Sequence, residues 1–146
     1  GVDLDLRLRP VPQLDYHVVT ALIWANERTT HNYLPYIPSM RLTHSLNWTP
    51  QTKGVFTPHA SLTHRYVAKQ TRFNAATDLV DFTPPAYHLL GFEAGVDWRL
   101  PSRQTLRLTL AGDNLLNKEY KEYTNRSRYY AHDMGRDIRC IVTWTF

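Results

Sequence analysis

The sequence predicts an all-β fold, with about seven antiparallel strands forming part of a transmembrane β-barrel. Three observations predict it. Apolar and polar residues alternate with period 2 along most of the chain, and the helical period is almost absent. The connections between the alternating segments run short, long, short, long, short, long, as in a barrel with tight turns at one rim and long loops at the other. The chain finishes on Trp144-Thr145-Phe146. That ending would give a soluble sheet a sticky edge, but it suits a rim that faces lipid.

In order along the chain, Val2, Leu4, Leu6 and Leu8 alternate with Asp3, Asp5, Arg7 and Arg9, and 10–13 reads as a break. Leu14, Tyr16, Val18, Thr20, Leu22 and Trp24 form the apolar row of the second segment. A polar, proline-bearing stretch follows over 27–39. Met40, Leu42, Leu46 and Trp48 mark the third strand, with Arg41, Thr43, Ser45 and Asn47 opposite. After a short turn at 49–54, Phe56, Ala60, Leu62 and Tyr66 mark the fourth. The 70–86 stretch is a long loop carrying Pro84-Pro85. Leu90, Phe92, Ala94, Val96 and Trp98 give the fifth strand, and 99–104 is a short turn. Leu106, Leu108 and Leu110 give the sixth, and 117–135 is the longest loop. The seventh carries Ile138, Cys140, Val142, Trp144 and Phe146 on one face and Asp137, Arg139, Ile141, Thr143 and Thr145 on the other. All four tryptophans fall at segment ends on the apolar face. Trp48, Trp98 and Trp144 belong to the short-turn rim and Trp24 to the long-loop rim, which is how two aromatic girdles read in sequence.

Composition narrows the function classes. The 146 residues make one domain's worth of chain, taken as a single unit over 1–146. With a mean hydropathy of −0.45 there is no run long enough for a helical span, whereas barrel strands need be only half apolar. Tyrosine (9) and tryptophan (4) are frequent, as strands and interfacial girdles require. The net charge of +4 is scattered without a basic run, which argues against a nucleic-acid partner. A single cysteine excludes an internal disulfide and a cysteine-built zinc site. Ser39, Ser45, Ser61, Ser102 and Ser127 lack a nucleophile-elbow setting, and no HExxH pair occurs, so no enzyme, cofactor or metal site is expected. No signal peptide stands at Gly1, and bacterial single-chain barrels have even strand numbers. Further strands before Gly1 are therefore expected.

Several segments carry a family resemblance. Asp113-Asn114-Leu115-Leu116-Asn117-Lys118-Glu119-Tyr120 resembles the "NLFNKxY" segment that ends the penultimate strand of TonB-dependent outer-membrane receptors. Arg128-Tyr129-Tyr130-Ala131 with Gly135-Arg136-Asp137 is similar to that family's approach to its last strand. Leu34-Pro35-Tyr36-Ile37-Pro38-Ser39-Met40-Arg41-Leu42, Tyr66-Val67-Ala68-Lys69-Gln70 and Pro85-Ala86-Tyr87 resemble earlier segments, in the family's order and over nearly the whole chain.

The resemblance implies a barrel of about 22 strands plugged by an N-terminal domain, of which this chain is the last part. It implies a place in the bacterial outer membrane and TonB-energised uptake of a scarce nutrient of the iron-chelate, haem or cobalamin class. The TonB system would be engaged through a plug domain that this sequence lacks. It also implies that Phe146, with Trp144 and Val142, is the signal read by the outer-membrane assembly machinery; the plainer reading of these three is a girdle against outer-membrane lipid. His31, Tyr33, Tyr120, Tyr123, Arg126 and Arg128 in the long loops are candidate contacts for a small-molecule chelate, by stacking and charge pairing. The plainer alternatives are solvated loop histidines and a Tyr/Arg loop packed on its neighbours. Two other classes remain open at the level of sequence: a small autonomous porin- or adhesin-like barrel, and a soluble lipocalin-like binder.

Overall fold

The computed structural model describes residues 1–76, 78, 83–101 and 104–146. Parts of the expected 70–86 loop and 99–104 turn, Ser102 among them, lie outside the described residues. The strands are β1 (Val2–Val11), β2 (Leu14–Leu22), β3 (Arg41–Trp48), β4 (Phe56–Val67), β5 (Tyr87–Arg99), β6 (Thr105–Asp113) and β7 (Asp137–Thr145), with one 3-10 turn, Arg126–Tyr129, before β7. They form a single antiparallel sheet in chain order, β1 to β7, so every strand pairs with its sequence neighbours and β1 and β7 are the edges.

Period 2 and the register together give the sheet two unlike faces. Leu6 pairs with Val18, Tyr16 with Leu46, Leu46 with Leu62, Leu62 with Phe92, Val96 with Leu108, and Leu108 with Val142. These residues make one apolar face, and many of them are exposed: Leu4, Leu6, Leu46, Leu62, Leu108 and Val142 all present side chain to the outside. The opposite face is laced by charge pairs between neighbouring strands. Arg107 donates from both Nε and Nη2 to Asp97, at 2.6 and 2.7 Å. Arg9 pairs with Asp15 at 2.9 Å, His17 contacts Asp5 at 2.8 Å, and Arg139 bonds Asp113. The buried apolar residues among those described are Val67, Tyr87, Ala111 and Tyr123, all toward the long-loop end of the sheet. Among the described residues few apolar side chains of the sheet are buried, and much of its apolar face is exposed.

Boundaries shift from the sequence expectation in places. β1 continues through Pro10 to Val11, which pairs with Leu14 after a register shift between Leu8 and Val11, leaving a two-residue turn at Pro12 and Gln13. Proline is tolerated there because the register is already irregular between Leu8 and Val11. β2 stops at Leu22, so Trp24 stands just beyond the strand, in a loop pinned by a bridge between Asn26 and Tyr33. β6 runs on to Asp113.

Candidate functional site

The functional candidates gather at the long-loop end, where three loops are tied to one another and to the strand ends. The 114–136 connection starts with a turn that only certain residues can make. Asn114 and Asn117 hold positive φ values of 46° and 49°, a region asparagine tolerates better than most residues. The Asn114 side chain then works as a clamp. Its Oδ1 accepts from Lys118 N at 2.8 Å, and its Nδ2 donates to Lys118 O at 2.9 Å and Met134 O at 3.2 Å. Asn117 Oδ1 accepts from Arg136 N at 3.0 Å, and a Cβ on Gly135 would lie only 3.0 Å from that same oxygen. The Asn-x-x-Asn and Gly135 parts of the resemblance are therefore architectural: they close the loop back onto the start of β7.

Within that loop Glu122 is a hub. It accepts from Arg41 Nη2 at 2.6 Å and from Tyr87 Oη at 2.8 Å, joining the loop to the starts of β3 and β5. Asp133 bonds Glu122 N at 2.6 Å and Asn125 Nδ2 at 2.7 Å. Further out, Asn125 caps the 3-10 turn by accepting from Ser127 N at 3.0 Å. The turn delivers Arg128 into a cage. Its guanidinium donates to both oxygens of Asp78 at 2.8 Å and to the Tyr123 carbonyl at 2.6 Å. It lies 4.4 Å from the Tyr123 ring centroid and 4.3 Å from that of Tyr129, with Tyr36 at 5.6 Å. The side chains of Arg128 and Asp78 are only 1 and 5 % exposed. Burial, followed by the charge of Asp78, pushes the Tyr123 phenol above its usual range; burial and the hydrogen bond to Asp78 do the same to Tyr129. Both phenols stay neutral donors at physiological pH.

Beneath these loops, on the polar face, lies a concavity of about 330 Å3. Thr63 and Arg65 of β4, Gly91 of β5, Tyr120 of the loop and Arg139 of β7 are among its lining. Arg139 is committed to Asp113 and Asp137. Arg65 is exposed and forms no ion pair among the described residues. Tyr120 packs on Tyr87 with centroids 4.7 Å apart, and burial, then the charge of Asp133, raises its phenol. Asp113 and Asp137, both paired with Arg139, line it as well, so what it offers beside that ion-paired cluster is the Arg65 guanidinium and a neutral phenol donor.

The six sequence-nominated loop residues fall in three places. Tyr120 lines the concavity. Tyr123, Arg126 and Arg128 gather around Tyr36, with Arg126 5.3 Å from its ring centroid. Of these, Tyr123 and Arg128 are buried and engaged within the loop cluster. His31 and Tyr33 stand apart on the exposed 23–40 loop, where His31 has a positive φ of 57° and its backbone N–H donates to Glu27 O at 3.0 Å. Among the described residues, no three of His, Cys, Asp and Glu are arranged to hold a metal ion.

At the other rim, Trp48 pairs with Leu14, Trp98 with Phe56 and Trp144 with Leu106, all on the apolar face. Trp24, Trp48, Trp98, Val142, Trp144 and Phe146 are all exposed, Phe146 at 96 %. Sequence reading missed a polar row on this face. Tyr16 Oη and His44 Nδ1 are 2.7 Å apart, the His44 and His64 rings stack at 5.7 Å, and His64 Nε2 lies 3.0 Å from His88 Nδ1. Parity alone contained this signal, since positions 44, 64 and 88 share phase with Leu46, Leu62 and Leu90. It missed Asp78 as well, whose role depends on a contact 50 residues away.

No protein-family profile matches the chain, and no curated protein matches it. A solved structure described as "Copper transporter OprC" superposes on 97 % of this chain with a TM-score of 0.69 at 18 % sequence identity. The match covers 22 % of the OprC chain. Together with the seven-stranded sheet, this likeness shows the fold, that of an outer-membrane barrel wall.

Proposed function

We propose that this chain is the C-terminal wall of a TonB-dependent outer-membrane receptor that takes up a scarce nutrient, of the iron-chelate, haem or cobalamin class. The observation that carries the reading is the two-faced sheet, with an exposed apolar face ringed by tryptophan and a charged face opposite, superposing on a transporter wall over nearly its whole length. The sequence resemblance along the chain supports it independently. In this reading the apolar face meets lipid, the long loops face outward, and the polar face lines the lumen against a plug domain that contacts the TonB system. The loop cluster around Arg128 gives the outer mouth a fixed shape, while the exposed His31, Tyr33 and Arg126 with the Tyr120 and Arg65 side of the concavity are the surfaces left for cargo.

The test is uptake by cells with and without the gene, each with and without a working TonB system, using radiolabelled iron chelates, haem and cobalamin. Loss of uptake of one of these in both single-defect strains is expected. Uptake unchanged by gene loss for all of them, or lost with the gene but indifferent to TonB, would overturn the reading.

A further inference from the structure

Charge is handled differently on the two faces of the sheet. On the polar face, Arg9, Arg107 and Arg139 each find a carboxylate on the same or the adjacent strand. The apolar rows contain no Asp or Glu at any paired position. Yet two cations border a cleft of about 210 Å3 at the long-loop end of that face, where the end of β2 meets the segments before β3 and after β4. Lys69 and Arg72 line it together with Trp24, Leu22 and Met40, and no carboxylate among the described residues does. The Arg72 guanidinium rests 5.0 Å from the centroid of the Trp24 ring, and neither cation has an acidic partner among the described residues.

We infer that this cleft binds the phosphate of a phosphorylated outer-leaflet lipid between Lys69 and Arg72, with an acyl chain along Leu22 and Met40. The inference rests on the membrane reading proposed above. Arginine and lysine are the residues that take phosphate, arginine by a planar fork and lysine as a point charge. Stacking on Trp24 pre-orders the fork, which lowers the entropy lost on binding. An indole at the rim marks the depth at which headgroups begin. Apolar lining and paired cations in one cleft match a molecule that is itself anionic at one end and greasy at the other, which free phosphate is not.

The experiment uses the native protein, extracted from membranes in mild detergent and exchanged into nanodiscs. Binding is measured with diphosphorylated lipid A, the same lipid with its phosphates removed, and inorganic phosphate. The wild type is expected to prefer the phosphorylated lipid. The K69Q/R72Q variant is expected to bind it about 30-fold more weakly, the scale of two surface cations acting on anionic lipid. K69R, which keeps both charges and the Arg72 fork, should retain binding, and heat-modifiable migration of each variant shows that it has folded. Equal binding by the wild type and K69Q/R72Q, or equal binding of lipid with and without phosphate, overturns the inference. Binding of inorganic phosphate as tight as that of the lipid also overturns it, since the site would then be a free-anion site. A native protein that fractionates outside the outer membrane overturns both this inference and the proposed function, whereas the preceding outcomes leave the latter standing.

Discussion

Arg128 spends its guanidinium on Asp78, the Tyr123 carbonyl and two tyrosine rings, so its charge is a structural tie rather than a reaching hand. Breaking a buried ion pair from one side strands the other charge, at a cost of about 3–5 kcal/mol. The Arg128→Ala variant should therefore loosen the 114–136 loop while the sheet stays folded. Hydrogen exchange would show this as faster exchange confined to the loop cluster; exchange unchanged there would mean the pair carries little. The tyrosines of the cluster make a pH prediction with a definite sign. Tyr120, Tyr123 and Tyr129 have their phenols raised, chiefly by burial. The folded form thus holds protons that the opened loop releases above the ordinary tyrosine value of about 10. Their contribution is complete below that pH and is lost as pH rises through the raised values. Tyrosinate absorbance should lag the free-tyrosine curve and appear together with loop opening. At this scale the sequence was only half legible. Tyr and Arg crowding in the last loop was visible, but whether they faced a ligand or each other depended on Asp78, which nothing local marks.

Among the elements, β5 leaves no room for a side chain beside β6 at Gly95. A Cβ there would stand 2.5 Å from the Leu108 carbonyl oxygen and 2.6 Å from His59 Nε2. The His59 ring can swing, but the carbonyl belongs to the ladder. Gly95→Ala is expected to cost about 1–3 kcal/mol, an overpacking penalty, and to lower the melting temperature of the folded barrel. Gly112 differs, because its neighbours are the Phe92 and Leu115 side chains, which can yield more easily. A melting temperature unchanged by Gly95→Ala would show that the two strands separate freely at this point. Strand positions and faces were read well from sequence because period 2 repeats through seven segments and each register is anchored on one apolar face. Strand ends were read less well. Pro10 looked like a break but lies within β1, at the point where its register with β2 shifts, and Trp24 kept the phase of β2 after its hydrogen bonding had stopped. The contact of the histidines at 44, 64 and 88 joins three strands, so it depends on register rather than on any local spacing.

For the molecule as a whole, the direction in which the two faces point decides where it can be stable. An exposed apolar sheet face flanked by Trp48, Trp98 and Trp144 is stable in a bilayer and a liability in water. If Phe146, Trp144 and Val142 also serve assembly, removing Phe146 should lower the amount of folded protein in the outer membrane, read by immunoblot and heat-modifiable migration. Unchanged levels would leave these residues as girdle alone. The orientation of the faces is tested most directly at Cys140, the one cysteine of this sequence, which is exposed on the apolar face, with any cysteine elsewhere in the receptor replaced. A nitroxide label on Cys140 in native membranes is compared with one on position 141 of the Cys140→Ser, Ile141→Cys variant, which points to the other face. The label at 140 is expected to be relaxed by lipid-soluble oxygen and shielded from a water-soluble nickel chelate, with the opposite pattern at 141. A label at 140 that meets the nickel chelate more readily than one at 141 would contradict that orientation.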